Sequence, residues 1–290
     1  MCPVPFISGG LKPGGVHSIL EGNRMSEENN LTSGADDLPP TIQKTKEQWL
    51  DEGHFLSFYA PIRSEEGLAA YEQAIRLDPT YALAWRMKAT PLRALKRYEE
   101  ALAAYEQTIS LDPTDVQAYT DKGDILYDLK RYEEALLTYE QAIALDPTSA
   151  EAYNGKAISL VFLGRDEEAL AAYEQVIRLD DDEHLYSYLA YVNSSTTLAT
   201  LSRYEEALAA CEGAIRFEPR HAHNYVSKGW LLDKLTRHEE ALAAYQEASR
   251  IEPNNADIWW RMGDVLTSLE RPQEAQQVYE KARQLDSGHP

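Results

Sequence analysis

The sequence predicts an all-α chain, a solenoid of about seven helix hairpins, and three observations predict it. The phrase Tyr-Glu-Glu-Ala-Leu recurs at residues 98–102, 132–136 and 204–208, and at 238–242 with His238 first. Prolines follow at Pro79, Pro113, Pro147, Pro219 and Pro253, spaced by 34, 34, 72 and 34 residues. The 72 is two periods plus four, with Asp181 standing where a proline would fall. A period near 34 marks a stack of helix pairs that bury their apolar faces only against neighbours.

The elements follow in order. Residues 1–45 are rich in Gly, Pro, Ser, Asn and Asp and are expected to form a disordered leader. A polar run opens at Met25, a second candidate start. A divergent first repeat spans 46–81. Its second helix carries Tyr71 and Ala74 before Pro79, and Trp49, Gly53 and Leu56 fit its first helix if two residues are added at a turn holding Pro61. The next unit is 82–115, where Pro91 falls inside the first helix and is expected to kink it or make it irregular.

The unit at 116–149 is the clearest. Ala118, Tyr119, Gly123, Leu126 and Leu129 recur at helical spacing and predict a first helix, A, over 116–129. A glycine inside a helix costs about 1 kcal/mol relative to alanine, so Gly123 needs a packing reason. Ala135, Tyr139 and Ala142 predict a second helix, B, over 132–145. The small residues admit a close approach and the tyrosine fills the gap. Asp146 precedes Pro147 and ends that helix, because a residue before proline avoids the helical region. Units 150–183, 184–221, 222–255 and 256–289 complete one continuous array. Four residues inserted around 180–187 are expected as a solvated acidic loop.

Composition narrows the function. Apolar residues make up 43% of the 290, enough for a continuous core. A net charge of −20 repels phosphate, so nucleic acid and anionic membranes are poor partners and clients with basic residues are favoured. There is no run of apolar residues long enough for a membrane span, nor an N-terminal secretory pattern, so the expected location is cytoplasmic. Of the two cysteines, Cys2 lies in the leader and Cys211 takes a core position held elsewhere by Tyr105, Tyr139, Tyr173 and Tyr245. Neither implies a disulfide framework.

Paired glutamates at 99–100, 133–134, 167–168, 205–206 and 239–240 invite an acid/base reading. They recur in nearly every unit, as a unique active site would not, and they sit where negative charge stabilises a helix N-terminus. Arginines precede them at Arg97, Arg131, Arg165, Arg203 and Arg237. His221 with His223, and His184 with the acidic run at 180–183, lack the further ligands of a metal site. No catalytic residues, cofactor or metal are expected.

These residues resemble the tetratricopeptide repeat family. Its aromatic at position 4, small residues at 8, 20 and 27, aromatic at 24 and proline at 32 are matched from Val116 by Tyr119, Gly123, Ala135, Ala142, Tyr139 and Pro147. The resemblance covers most of the chain. It implies a right-handed α-solenoid that acts as a non-catalytic scaffold, binding a protein or peptide client in a concave groove lined by the A helices. A regulatory subunit controlling a partner enzyme is the alternative.

Groove positions 2, 5, 6, 9, 12 and 13 of each unit then select candidate binding residues. The early units supply Arg86, Arg93, Asp121, Asp124 and Tyr127, with Asp128 beside them. The acidic patch suits a basic client residue. The middle units supply Asn154, Ile158, Phe162, Val192, Asn193 and Thr196. The last supply Trp230, Trp260 and Arg261. Ile158, Val161, Phe162, Val192, Trp230 and Trp260 are apolar side chains expected to face solvent. No successive units offer the ordered Lys and Asn set that clamps a terminal carboxylate. In the final unit Gln276 and Arg283 replace the Leu and, except for Ser249, the Ile that earlier units present to a neighbour, so the array is expected to cap itself and to be a monomer.

Overall fold

The computed structural model describes residues 44–59, 64–179 and 184–287. The leader over residues 1–43, the turn at Pro61 and the acidic run at 180–183 lie outside them. Among the described residues there are fourteen helices, the number that seven hairpins require, and no strand. The fold is all-α and of the α-solenoid class.

The described residues fall into two compact units. The first runs through Ile125: α1 (Lys46–Tyr59) pairs with α2 (Ser64–Leu77), α3 (Ala82–Ala94) pairs with α4 (Tyr98–Leu111), and α5 (Val116–Asp128) begins. The second runs from Leu126. It holds α6 (Tyr132–Leu145) and the hairpins α7 (Ala150–Phe162)/α8 (Asp166–Leu179), α9 (His184–Thr200)/α10 (Tyr204–Phe217), α11 (Ala222–Lys234)/α12 (His238–Ile251) and α13 (Ala256–Ser268)/α14 (Pro272–Ser287). The B helices α2, α6, α8, α10 and α12 each pack on the A helix that follows, and α7 also touches α9.

Ring-on-glycine packing sets how close the two helices of a hairpin lie. A Cβ at Gly229 would sit 2.8 Å from the Tyr245 ring, and one at Gly53 would sit 2.7 Å from the Tyr71 ring. The second pair places Gly53 of the divergent first hairpin in the same relation to its tyrosine as in α11/α12 and α13/α14. The turn between helices has its own device. Lys96, Lys130, Ser202, Thr236 and Glu270 all have φ near +60°, and Gly164 has φ 72°. That left-handed residue lets the following arginine N–H reach back to the leucine carbonyl five residues earlier, as in Arg237 N to Leu232 O at 2.9 Å.

The recurring charges are structural clasps. Arg203 Nε donates to Glu206 Oε1 at 2.7 Å, and Arg203 Nη1 reaches Glu167 of the preceding hairpin at 3.0 Å. The second glutamate of each twin thus clamps its own arginine, and in two twins the first, Glu167 or Glu239, meets the arginine of the next unit. Arg97 with Glu100 and Glu65 repeats the pattern in the first compact unit. The Asp-Pro-Thr turns are closed by the aspartate: Asp146 Oδ1 accepts from Thr148 N at 2.9 Å and from its hydroxyl at 2.7 Å.

Helix α3 runs unbroken through Pro91 to Ala94. Pro91 lies in its last turn and its carbonyl still accepts from Leu95 N at 2.9 Å. Part of the insertion near residue 184 joins a helix, while the acidic run 180–183 lies outside the described residues. Residues 184–187 are helical, and α9 reaches 17 residues where α7, α11 and α13 have 13.

Candidate functional site

In the first compact unit the predicted groove residues are tied to one another. Arg93 pairs with Asp124 at 3.0 Å, and Arg86 Nε lies 3.1 Å from Asp115. Asp121 accepts from Gln117 Nε2 at 2.9 Å. The patch expected to attract a basic client residue is therefore partly neutralised from within, because Asp124 already faces a guanidinium.

In the second unit three aromatic rings meet. Phe162 stacks on Tyr132 with centroids 4.9 Å apart, and Tyr127 meets both edges at 5.5 and 5.6 Å. Phe162 remains 45% exposed. Tyr127 and Phe162 were selected from sequence. Tyr132, at the start of a B helix, was not.

Four predicted surface residues are buried instead. Ile158 is 3% exposed, Asn154 4%, Asn193 0% and Val192 7%. α7 packs directly against α9, and Ile158 shares an apolar cluster with Ala190 of that helix, while Asn193 faces Tyr173 of α8. The Asn154 side-chain oxygen makes no hydrogen bond among the described residues. Trp260 turns back onto its own hairpin: its ring lies 5.5 Å from that of Tyr279, and its indole N–H donates to Asp286 at 2.9 Å. Arg261 pairs with Asp257 at 2.7 Å.

Trp230 is partly buried and packs edge-on against Tyr204 at 6.1 Å. It forms one wall of a partly open cavity of about 220 Å³ between α9, α10 and α11. Val192, Thr196 and Ala199 line it from α9, with Cys211 and Ala214 at its floor. The three hydroxyls that α9 contributes are turned to the backbone. Ser195 donates to Ala207 O at 2.8 Å, Thr196 to Val192 O at 3.0 Å and Thr200 to Thr197 O at 2.7 Å. The Cys211 thiol points at Asn224 O at 3.3 Å, and burial pushes its pKa up to about 12. It is a neutral, unreactive group, so the cavity offers shape and apolar surface and no nucleophile.

Comparison with known families gives a consistent picture. The profile described as "Tetratricopeptide repeat" matches residues 56–116, 86–150, 120–184 and 154–222, and a second so described matches 256–289. One described as "TPR repeat" matches 234–270. The chain belongs to the tetratricopeptide repeat family. Among solved structures it is similar to YrrB, "a TPR protein with an unusual peptide-binding site", at 22% identity and TM-score 0.54, over 64% of this chain and 94% of that one. It is similar to a tetratricopeptide repeat protein from Parabacteroides merdae at 16% identity and TM-score 0.58, over 83% and 93%. A chain of the APC/C hetero-tetramer Cut9–Hcn1 matches at 16% and 0.58, over 77% and 43%. At these identities the likeness is one of fold. A search of curated proteins finds no match.

Proteins of the tetratricopeptide repeat family are generally interaction scaffolds, and no catalytic family is indicated. Among the described residues no cluster of His, Cys, Asp and Glu could hold a metal, and no helix is long and apolar enough to cross a membrane. Sequence reading missed the cavity because it took Cys211 for an ordinary small core residue. The available signal was the missing volume, since a cysteine stands where the other hairpins place a tyrosine.

Proposed function

We propose that this chain is a non-catalytic scaffold that holds an extended or helical client segment along its A helices. The observation that carries the reading is the aromatic cluster of Phe162, Tyr132 and Tyr127, which leaves Phe162 45% exposed on an ordered helix face. Exposed aromatics on rigid elements are common interface anchors. YrrB, a neighbour of the same fold, has a peptide-binding site, and this chain is proposed to use its fold in the same general way. The net charge of −20 favours a client with basic residues. A monomer in a cytoplasmic setting, where thiols stay reduced, suits a chain whose Cys211 is a free buried thiol.

The test is selection of peptides from a displayed random library against the full chain. Phe162→Ala is expected to weaken the selected peptides about 30-fold, the effect of a hot spot worth about 2 kcal/mol, with unchanged helicity. Peptides that bind Phe162→Ala as tightly as the unmodified chain would defeat this placement of the site.

A further inference from the structure

The cavity beside Trp230 lies where the α9/α10 hairpin has Cys211 in the B-helix place that every other hairpin fills with a tyrosine. In the α11/α12 hairpin, Tyr245 of the B helix lays its ring on Gly229 of the A helix. In α9/α10 the matching residues are Cys211 and Ser195, and both line the cavity. Tyr191 lays its ring on Gly213 instead, where a Cβ would be 2.4 Å away. That ring does not line the cavity.

We infer that this pocket receives one aromatic side chain of a client segment, a phenyl or phenol ring, in the place that a B-helix tyrosine fills in neighbouring hairpins. The assignment rests on the scaffold reading above and adds the chemistry that it recognises. Three observations support a ring. An apolar cavity of about 150 Å³ takes up benzene in other proteins, and this one measures about 220 Å³. Val192, Ala199, Ala214, Leu231 and the face of Trp230 give it mostly apolar walls. The hydroxyl protons of Ser195, Thr196 and Thr200 are already committed to backbone carbonyls, so on the α9 side a strongly polar or charged group would meet few donors. The lone pairs of those hydroxyls remain able to accept a phenol proton.

The test uses toluene and p-cresol, the side-chain analogues of Phe and Tyr, together with library-selected peptides. Saturation-transfer NMR should show both small probes bound to the full chain and displaced by selected peptides that carry an aromatic residue. Cys211→Tyr with Ser195→Gly rebuilds the ring-on-glycine packing from within. It should keep the helicity, abolish binding of both probes and weaken the aromatic peptides at least tenfold. Ala199→Met, which fills the cavity from α9 and leaves Cys211 in place, should do the same if the double variant fails to fold. Probe binding that survives a folded filling variant overturns the pocket. So do probes that bind without competing with the peptides, which would mark a small-molecule site. Selected peptides that lack aromatic residues and are unaffected by filling, yet are weakened by Phe162→Ala, overturn the pocket and leave the scaffold reading standing. Probe binding with no selectable peptide at all defeats the scaffold reading.

Discussion

Replacing Gly155 with alanine tests whether ring packing sets the spacing of successive helices. Gly155 lies on α7, and a Cβ there would stand 2.4 Å from Cε1 and Cζ of Tyr139 on α6. Carbon atoms in contact prefer about 3.5–4.0 Å, so the ring or the helix must move by roughly 1 Å. Tyr139 is only 2% exposed and has little room to rotate away. Alanine would gain about 1 kcal/mol in helix propensity. Overpacking a well-filled site costs about 1–3 kcal/mol, and a contact this short belongs in the upper half of that range. The net is a loss of about 1–2 kcal/mol, or roughly 2–8 °C in Tm for a domain of about 150–250 residues. Circular dichroism melts of Gly155→Ala, Tyr139→Leu and the double variant form a cycle. Once the ring is gone, alanine should be neutral or stabilising. A higher Tm for Gly155→Ala alone would refute the claim that the ring and the glycine are in register.

Other outcomes follow from the same structure. Thr236 is β-branched and holds φ 58°, so Thr236→Gly should raise stability by about 1 kcal/mol in a thermal melt. Glu206 is held below the ordinary glutamate value of 4.5 by its hydrogen bond to Arg203. The clasp's stability is therefore present above about pH 4.5 and lost as pH falls through the lower folded value. Tm should drop across that window, and Glu206→Gln should flatten part of the drop. Gln276 and Arg283 are exposed on the last B helix, where earlier units present leucine and, except at Ser249, isoleucine. Gln276→Leu with Arg283→Ile should promote association visible by light scattering; an unchanged mass would remove the capping argument.

Much of the fold was legible because repetition averages out local ambiguity. Tyr139, Ala135 and Ala142 recur in equivalent places, and the B helix predicted over 132–145 matches α6 residue for residue. The turn residues were not legible by type. Lys96, Lys130, Ser202, Thr236 and Glu270 share a left-handed backbone that only Gly164 advertises. Exposure was legible for Phe162, which ends helix α7 and stays 45% exposed although it stacks on Tyr132 of α6. Ile158, Asn154, Asn193 and Val192 were misplaced because their exposure depends on how neighbouring helices pack, a tertiary fact that no single unit records. The cavity was hidden for a related reason. It is a deficit of volume at Cys211, seen only by comparing one hairpin with the next.

The central claim is that clients bind along the A helices. Hydrogen–deuterium exchange of the full chain, with and without a library-selected peptide, tests it most directly. The account predicts new protection in α7, α9 and α11 and none on the outer turns of α8, α10 and α12. Protection confined to those B helices, with the A helices unchanged, would contradict it.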